Sequence, residues 1–120
     1  MTEVRQIGGL PAAVLPAEGP VLTGEAGALE ALGESYGAEA ELLVIPLARL
    51  GPDSLDLSTR QLGLMLQKFA NYRQRVAFLG ETDARAAESQ AFHDFRYEAN
   101  KGRQVLFVAD EAELAALLER

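Results

Sequence analysis

Short runs of apolar residues alternate along this chain with longer stretches in which apolar residues recur every three or four positions. The run LLVI within residues 41–47 is apolar on both faces, which is typical of a buried strand or of a central strand in a mixed sheet. Similar runs predict strands at 76–79 and 104–108. The apolar stretches 3–7 and 12–15 lie around glycines and a proline, so they predict an opening hairpin or two edge strands.

Two helices are predicted in the first two thirds of the chain. Thr23 is the expected cap of the first helix, which Gly37 ends. The second helix is expected to begin near Ser58, because Ser58 and Gln61 have the spacing of a capping box. The apolar positions at helical spacing are Ala28, Leu29, Leu32 and Tyr36 in the first helix, and Leu62, Met65, Leu66 and Phe69 in the second.

Two further helices are predicted around the last strand. The third spans roughly 85–99 and stops at an Asn-Lys-Gly signal, where Gly102 is expected to adopt the left-handed conformation. Asp110 and Glu113 have capping-box spacing and predict the start of the fourth. The expected buried positions are Ala91, Phe92, Phe95 and Ala99 in the third helix, and Leu114, Leu117 and Leu118 in the fourth.

The order of these elements predicts a small α/β sandwich. Its sheet is mixed and mostly parallel, with about five strands and four helices, and its parallel strands are joined by right-handed crossovers. A length of 120 residues suits one hydrophobic core, so a single domain is expected over 1–120.

Composition excludes several classes of function. The chain has no cysteine, one histidine, no metal-ligand spacing and no phosphate-binding glycine loop, so no catalytic residue, metal or cofactor is predicted and a non-enzymatic role is favoured. No apolar run approaches the roughly 18 residues that cross a bilayer, and the first residues lack the pattern of a signal peptide, which predicts a cytoplasmic protein.

The net charge of −7 is unevenly distributed. Residues 1–40 carry one Arg against six Glu, residues 41–103 carry nine basic against eight acidic groups, and residues 104–120 carry one Arg against four acids. A nucleic-acid-binding protein needs a concentrated basic face, so nucleic acid is not an expected partner.

The segments DLSTRQLGLMLQKFANYR and DFRYEANKGRQVLFV resemble the bacterial domain-of-unknown-function family DUF4180 over roughly the C-terminal two thirds of the chain. That family has no assigned activity. Its pattern is in turn similar to STAS domains, the fold of anti-sigma-factor antagonists, in which a partner kinase phosphorylates a Ser or Thr at the start of the helix after the central strand. The resemblance implies a STAS-like fold, places Ser58 and Thr59 at the phosphorylated position, and implies a kinase or an anti-sigma-like factor as the protein partner.

Each candidate site also has a structural interpretation. A phosphoryl group at Ser58 would be stabilised by the N-terminus of a helix, yet serine is also an ordinary helix cap. The turns that end the second and third helices lie at one edge of a parallel sheet. Arg73 and Arg103 there either bind an anion, form ion pairs with Asp94 and Glu98, or stabilise helix C-termini electrostatically. The opposite edge collects acidic and hydroxyl side chains that either bind magnesium or cap helices, namely Asp53, Asp56, Ser58, Thr82, Asp83 and Asp110.

Two classes of function therefore remain open. The first is a regulatory or protein-interaction module controlled by phosphorylation at Ser58 or Thr59. The second is a small-molecule or nucleotide-binding domain that uses polar residues at one edge of the sheet. The residues proposed for the partner or ligand surface are Asp53, Asp56, Asn71, Arg73, Asp94, Glu98, Asn100 and Arg103.

Overall fold

A five-stranded sheet forms the centre of the protein, whose computed structural model describes residues 2–120. The strands lie side by side in chain order; the first two form an antiparallel hairpin, and each later strand pairs in parallel with its predecessor. This confirms the predicted mixed, mostly parallel sheet. The strands are β1 (Glu3–Ile7), β2 (Leu10–Val14), β3 (Leu42–Pro46), β4 (Arg75–Leu79) and β5 (Val105–Val108).

The helices cover both faces of this sheet unequally. They are α1 (Gly24–Glu34), α2 (Gln61–Asn71), α3 (Asp83–Glu88), α4 (Gln90–Lys101) and α5 (Glu111–Glu119). Buried residues of α1 to α4 form one core with one face of the sheet, whereas α5 alone closes the other face through Leu114 and Leu118. No helix within the described residues is long and apolar enough to cross a membrane.

The predicted third helix is two helices in the structure. Ser89 interrupts it with an extended backbone (φ −135°, ψ 111°), and its Oγ accepts the N–H of Phe92 at 3.1 Å, so it caps α4. Ala91 is consequently exposed and not buried, while Phe92 is fully buried. Gly102 follows α4 with a φ of −96° and not in the expected left-handed conformation, because the chain runs directly into the extended backbone that leads to β5.

The predicted buried face of α1 is also partly wrong. Leu29 is 45% exposed and Tyr36 lies beyond the end of the helix, 92% exposed, whereas Ala28 and Ala31 are buried. The buried residues are small because α1 packs closely against α2. A Cβ at Gly27 would lie 3.1 Å from Cε of Met65 in α2 and closer still to the backbone of Leu22.

One buried arginine connects segments that the sequence analysis leaves unrelated. Arg49, 1% exposed, ends a short 3₁₀ turn after β3 and forms a bidentate ion pair with Glu34 at the end of α1. It also donates to the carbonyls of Pro16 (3.1 Å) and Pro20 (2.9 Å). The hydrogen bond that Arg49 donates to Glu34 is the main reason that the pKa of Arg49 is raised above its ordinary value. The guanidinium therefore fixes the β2–α1 loop, the end of α1 and the β3 exit together.

Replacing Arg49 with Met is expected to lower the free energy of unfolding by about 3 kcal/mol, because it leaves a largely buried carboxylate and two carbonyls without a donor. Urea unfolding measures this. Lys68→Met is the matched control, since its pair with the exposed Glu25 is expected to contribute less than about 1 kcal/mol. Equal losses in the two variants would contradict the assigned role of Arg49.

Candidate functional site

The predicted phosphorylation position does not lie at the start of a helix. Ser58 is exposed in a separate 3₁₀ turn (Leu57–Thr59), and Arg60, in the left-handed conformation (φ 66°), separates this turn from α2. The predicted capping box of Ser58 and Gln61 is therefore wrong. Asp56 caps the turn instead, since its Oδ1 accepts the backbone N–H of Ser58 at 3.0 Å and its hydroxyl at 2.6 Å.

These contacts with Ser58 set the electrostatics of the turn. The hydrogen bond from the Ser58 hydroxyl, followed by that from its N–H, lowers the pKa of Asp56, and Arg85 Nη2 lies 3.9 Å from the same carboxylate. The hydroxyl of Thr59 instead donates to the Asp56 carbonyl (2.8 Å) and accepts the N–H of Gln61 (3.3 Å). Thr59 is thus the side chain that joins the turn to α2.

The other acids at the carboxyl edge of the sheet are used locally. Arg96 donates to Thr82 (2.9 Å) and to Asp83 (2.8 Å), and Asp110 accepts the N–H of Glu113 (2.9 Å), which confirms the cap of α5. Among residues 2–120, no three His, Asp or Glu side chains come close enough together to hold a metal ion. The acids of this edge therefore act as helix caps and ion-pair partners, and Asp53 contributes its carbonyl, which accepts from Thr59 at 3.3 Å.

Asn100 forms hydrogen bonds with the backbone of β5, the last strand, along the side of that strand that pairs with no other strand. Its Nδ2 donates to the carbonyl of Phe107 at 3.0 Å, and its Oδ1 accepts the N–H of Phe107 at 2.8 Å. The N–H of Ala109, further along the same edge, donates to Glu113 at 2.8 Å. An unpaired strand edge is a template for association with another chain, so these side chains protect β5 from strand addition.

The predicted ion pairs of Arg73 and Arg103 with Asp94 and Glu98 are wrong. Asp94 accepts from Gln90 (2.7 Å) and contacts His93 (3.2 Å), a hydrogen bond that is the main cause of its lowered pKa. Glu98 pairs with its helix neighbour Lys101 at 2.9 Å. Both acids thus interact within the exposed face of α4. Asn71 likewise accepts from Gln67, one turn earlier in α2.

Arg103 is directed toward the end of the neighbouring helix. Its guanidinium donates to the carbonyls of Leu118 (3.4 Å) and Arg120 (2.6 Å) at the C-terminal end of α5. Cations are stabilised at this end of a helix by its dipole. The backbone carbonyl of Arg103 accepts a hydrogen bond from Nε of Arg75 at 2.8 Å, which links the turn before β5 to the start of β4.

A basic cavity lies where β4 and β5 begin, at the edge of the sheet that the amino ends of the parallel strands form. It has a volume of about 420 Å³, and we call it the amino-edge cavity. Two arginines and two glutamines are combined there with apolar side chains, and no acidic residue lines it. The lining residues are Leu66, Phe69, Ala70, Arg73, Gln74, Arg75, Gln104 and Val105.

The two arginines that line this cavity lack carboxylate partners. Within the described part of the chain, neither Arg73 nor Arg75 has an Asp or Glu oxygen within 4.0 Å, although the chain has 18 acids and 11 basic residues. Nη2 of Arg75 is buried and has no hydrogen-bond partner. A buried donor without a partner is unfavourable, so this nitrogen marks a place where an acceptor would be stabilising.

Arg73 adopts a conformation that arginine rarely takes. The N–H of Gln74 donates to the carbonyl of Phe69 (2.8 Å) and that of Arg73 to Ala70 (3.0 Å), which is the Schellman pattern at the end of α2. Arg73 occupies the left-handed position of this motif (φ 55°), where glycine is usual. A left-handed residue with a Cβ costs about 1–2 kcal/mol, and such strain concentrates at functional sites.

The sequence pattern indicated Arg73 as a residue of this edge but not Arg75, Gln74 and Gln104, which line the same cavity. The available signal was the Arg-Gln-Arg run 73–75 directly before a strand in an acidic chain. It also missed Arg49, whose burial depends on three distant segments.

These features define a small α/β protein with a basic cavity at the amino edge of its parallel strands. The model of the family described as "Domain of unknown function (DUF4180)" matches residues 7–118, and the chain belongs to this family. No curated protein and no solved structure is significantly similar to the chain.

Replacing Arg73 with Gly is expected to raise the free energy of unfolding by about 1 kcal/mol, because glycine removes the left-handed strain. Arg73→Ala keeps a Cβ and is expected to give no such gain. Urea unfolding of both variants compares them. Stabilisation by alanine as large as that by glycine would show that the backbone of Arg73 is not strained.

Replacing Asn100 with Ala is expected to lower the free energy of unfolding by about 2 kcal/mol, since both backbone groups of Phe107 lose their partner. The freed edge of β5 is also expected to promote self-association, which sedimentation velocity detects. The exposed Asn71→Ala change is the control. An Asn100→Ala variant as stable and as monodisperse as this control would rule out edge protection.

Proposed function

We propose that this protein is a small-molecule-binding domain whose site is the amino-edge cavity and whose ligand is an anion. The observation that carries the proposal is Arg75, which lines this cavity without a carboxylate partner and whose Nη2 is buried without a hydrogen-bond partner. Arg73 lines the same cavity, so two positive charges face a space without carboxylates.

The pairing of the other cations favours a bound ligand, and not an Asp or Glu of the chain, as the anion at this cavity. The cations Arg5, Arg49, Arg85, Arg96 and Lys101 each have a carboxylate within 4.0 Å, and the chain as a whole carries an excess of acids. Guanidinium groups bind carboxylates and phosphates through paired N–H donors, which suits both ligand classes. The strain at Arg73 adds support, because glycine in its place would relieve that strain and remove a charge from the cavity.

Acetate and inorganic phosphate are suitable probes for this site. In NMR titrations at constant ionic strength, we expect saturable shifts at Arg73, Arg75 and Gln104, with dissociation constants in the millimolar range for such small ligands. Arg75→Met is expected to weaken binding at least tenfold, and Arg75→Lys to weaken it less, because lysine keeps the charge but loses the paired donors.

Arg60→Met is the matched control, since Arg60 is exposed at the opposite end of α2. It is expected to leave binding unchanged. Shifts that follow ionic strength alone, or that persist unaltered in Arg75→Met, would refute an anion site at this edge.

A second candidate function is a protein-interaction module of STAS-like type, controlled by phosphorylation of Ser58. The exposed hydroxyl of Ser58 that donates to Asp56 favours it. A phosphoester has no hydroxyl hydrogen to donate, and it places about two negative charges beside the carboxylate. Phosphorylation would therefore open the turn. Arg85 lies beside the turn, where its Nε donates to the Leu55 carbonyl at 3.1 Å, and it could form an ion pair with the phosphate.

The partner of such a module would be a kinase or an anti-sigma-like factor. We expect mass spectrometry of protein isolated from its host to find phosphate on Ser58, and a partner captured by Ser58→Ala to be lost with Ser58→Asp. Thr59→Ser, which keeps the hydroxyl between the turn and α2, is the control. Unmodified Ser58 together with equal capture by both Ser58 variants would refute the switch.

A further inference from the structure

A second and larger cavity adjoins the amino-edge cavity. Its volume is about 680 Å³. It is lined mainly by apolar side chains from α1 and the segment that follows it, from β2 and β3, and from the turn after α2. We call it the tyrosine groove, after Tyr36 and Tyr72. The other lining side chains used below are Leu29, Leu32, Glu39 and Gln74.

Large apolar side chains of this groove are left uncovered. Tyr36 is 92%, Tyr72 59% and Leu29 45% exposed, and these three account for much of the exposed apolar surface of large side chains. Single exposed apolar residues are ordinary, but a concave cluster of them is typical of a binding site.

The two cavities are neighbours at the edge of the sheet and share one lining residue. Gln74 lines both, and its Nε2 donates to the carbonyl of Arg75 at 2.9 Å, which fixes the side chain at their junction. Tyr72 in the groove and Arg73 in the amino-edge cavity are adjacent residues of the same turn. A ligand anchored at the arginines would therefore lie beside the tyrosine groove.

We infer that the ligand is an amphipathic anion, with its carboxylate or phosphate head at Arg73 and Arg75 and its aliphatic or aromatic body in the tyrosine groove. This inference rests on the proposed anion site. The apolar side chains Leu66, Phe69 and Val105 line the amino-edge cavity as well, so the head group also meets an apolar wall.

Charge further restricts the ligand. Glu39 lines the tyrosine groove, where no basic residue is present, so a second negative group at the far end of the ligand would be repelled. The ligand therefore carries its negative charge at one end. A second copy of the chain is a poor occupant, because two surfaces of a chain with net charge −7 repel each other.

A series of straight-chain carboxylates from acetate to octanoate tests this inference by calorimetry and NMR at constant ionic strength. Binding is expected to tighten by roughly three- to fourfold for each methylene buried, until the groove is filled. Leu29→Ser and Tyr36→Ser are expected to weaken octanoate at least fivefold while leaving acetate unchanged. Arg75→Met is expected to weaken every member of the series.

Leu64→Ser is the matched control, because Leu64 is 47% exposed on α2, outside both cavities. Octanoate that binds no tighter than acetate, or that responds equally to Leu29→Ser and Leu64→Ser, overturns the inference but leaves the anion site standing. Octanoate binding that is insensitive to Arg75→Met overturns both. A dimer in sedimentation velocity that Tyr36→Ser dissociates assigns the groove to a second copy and overturns the inference.

Discussion

The parallel pairing of β4 with β5 is the constraint on which the candidate site depends. Val76 lies opposite Val105, so Arg75 at the start of β4 and Gln104 just before β5 are neighbours although about thirty positions separate them in the chain. This register brings Arg75 to the Arg103 carbonyl and to Gln104. The residues of this candidate site are held in place by backbone hydrogen bonds of the sheet and by the Schellman turn of α2.

Hydrogen bonds between distant segments also position α1, the helix that connects β2 to β3. Arg49 reaches the β2–α1 loop and Glu34 through four hydrogen bonds, and it thereby holds α1 in place beside α2. The end of α1 and the turn after it supply Leu32, Ser35 and Tyr36 to the tyrosine groove. The buried ion pair thus contributes to the shape of the groove, since Glu34 lies between the lining residues Gly33 and Ser35 at the end of α1.

The carboxyl edge of the sheet, where α/β proteins commonly bind ligands, is occupied differently here. Asp56, Asp83 and Asp110 are each engaged by a neighbouring backbone N–H or guanidinium. The strands also follow one another in chain order, so the sheet has no reversal of strand order, and the cavity of about 460 Å³ at that edge is lined by side chains of both charges. At the amino edge, Arg73 and Arg75 have no carboxylate partner and lie beside concave apolar surface.

The sequence by itself determined the order of the strands and helices apart from the break at Ser89, the apolar stripe of α2 and the cap at Asp110, because periodicity and capping are local properties. It also indicated Arg73 as a residue of the amino edge. Only the tertiary structure decided that Asn100 protects β5, that Asp56 and not an α2 N-terminus holds Ser58, and that Nη2 of Arg75 lacks a hydrogen-bond partner. These outcomes depend on which polar groups meet across distant segments, and hydrogen-bond partners of that kind are set by strand register and helix packing, which no local pattern encodes.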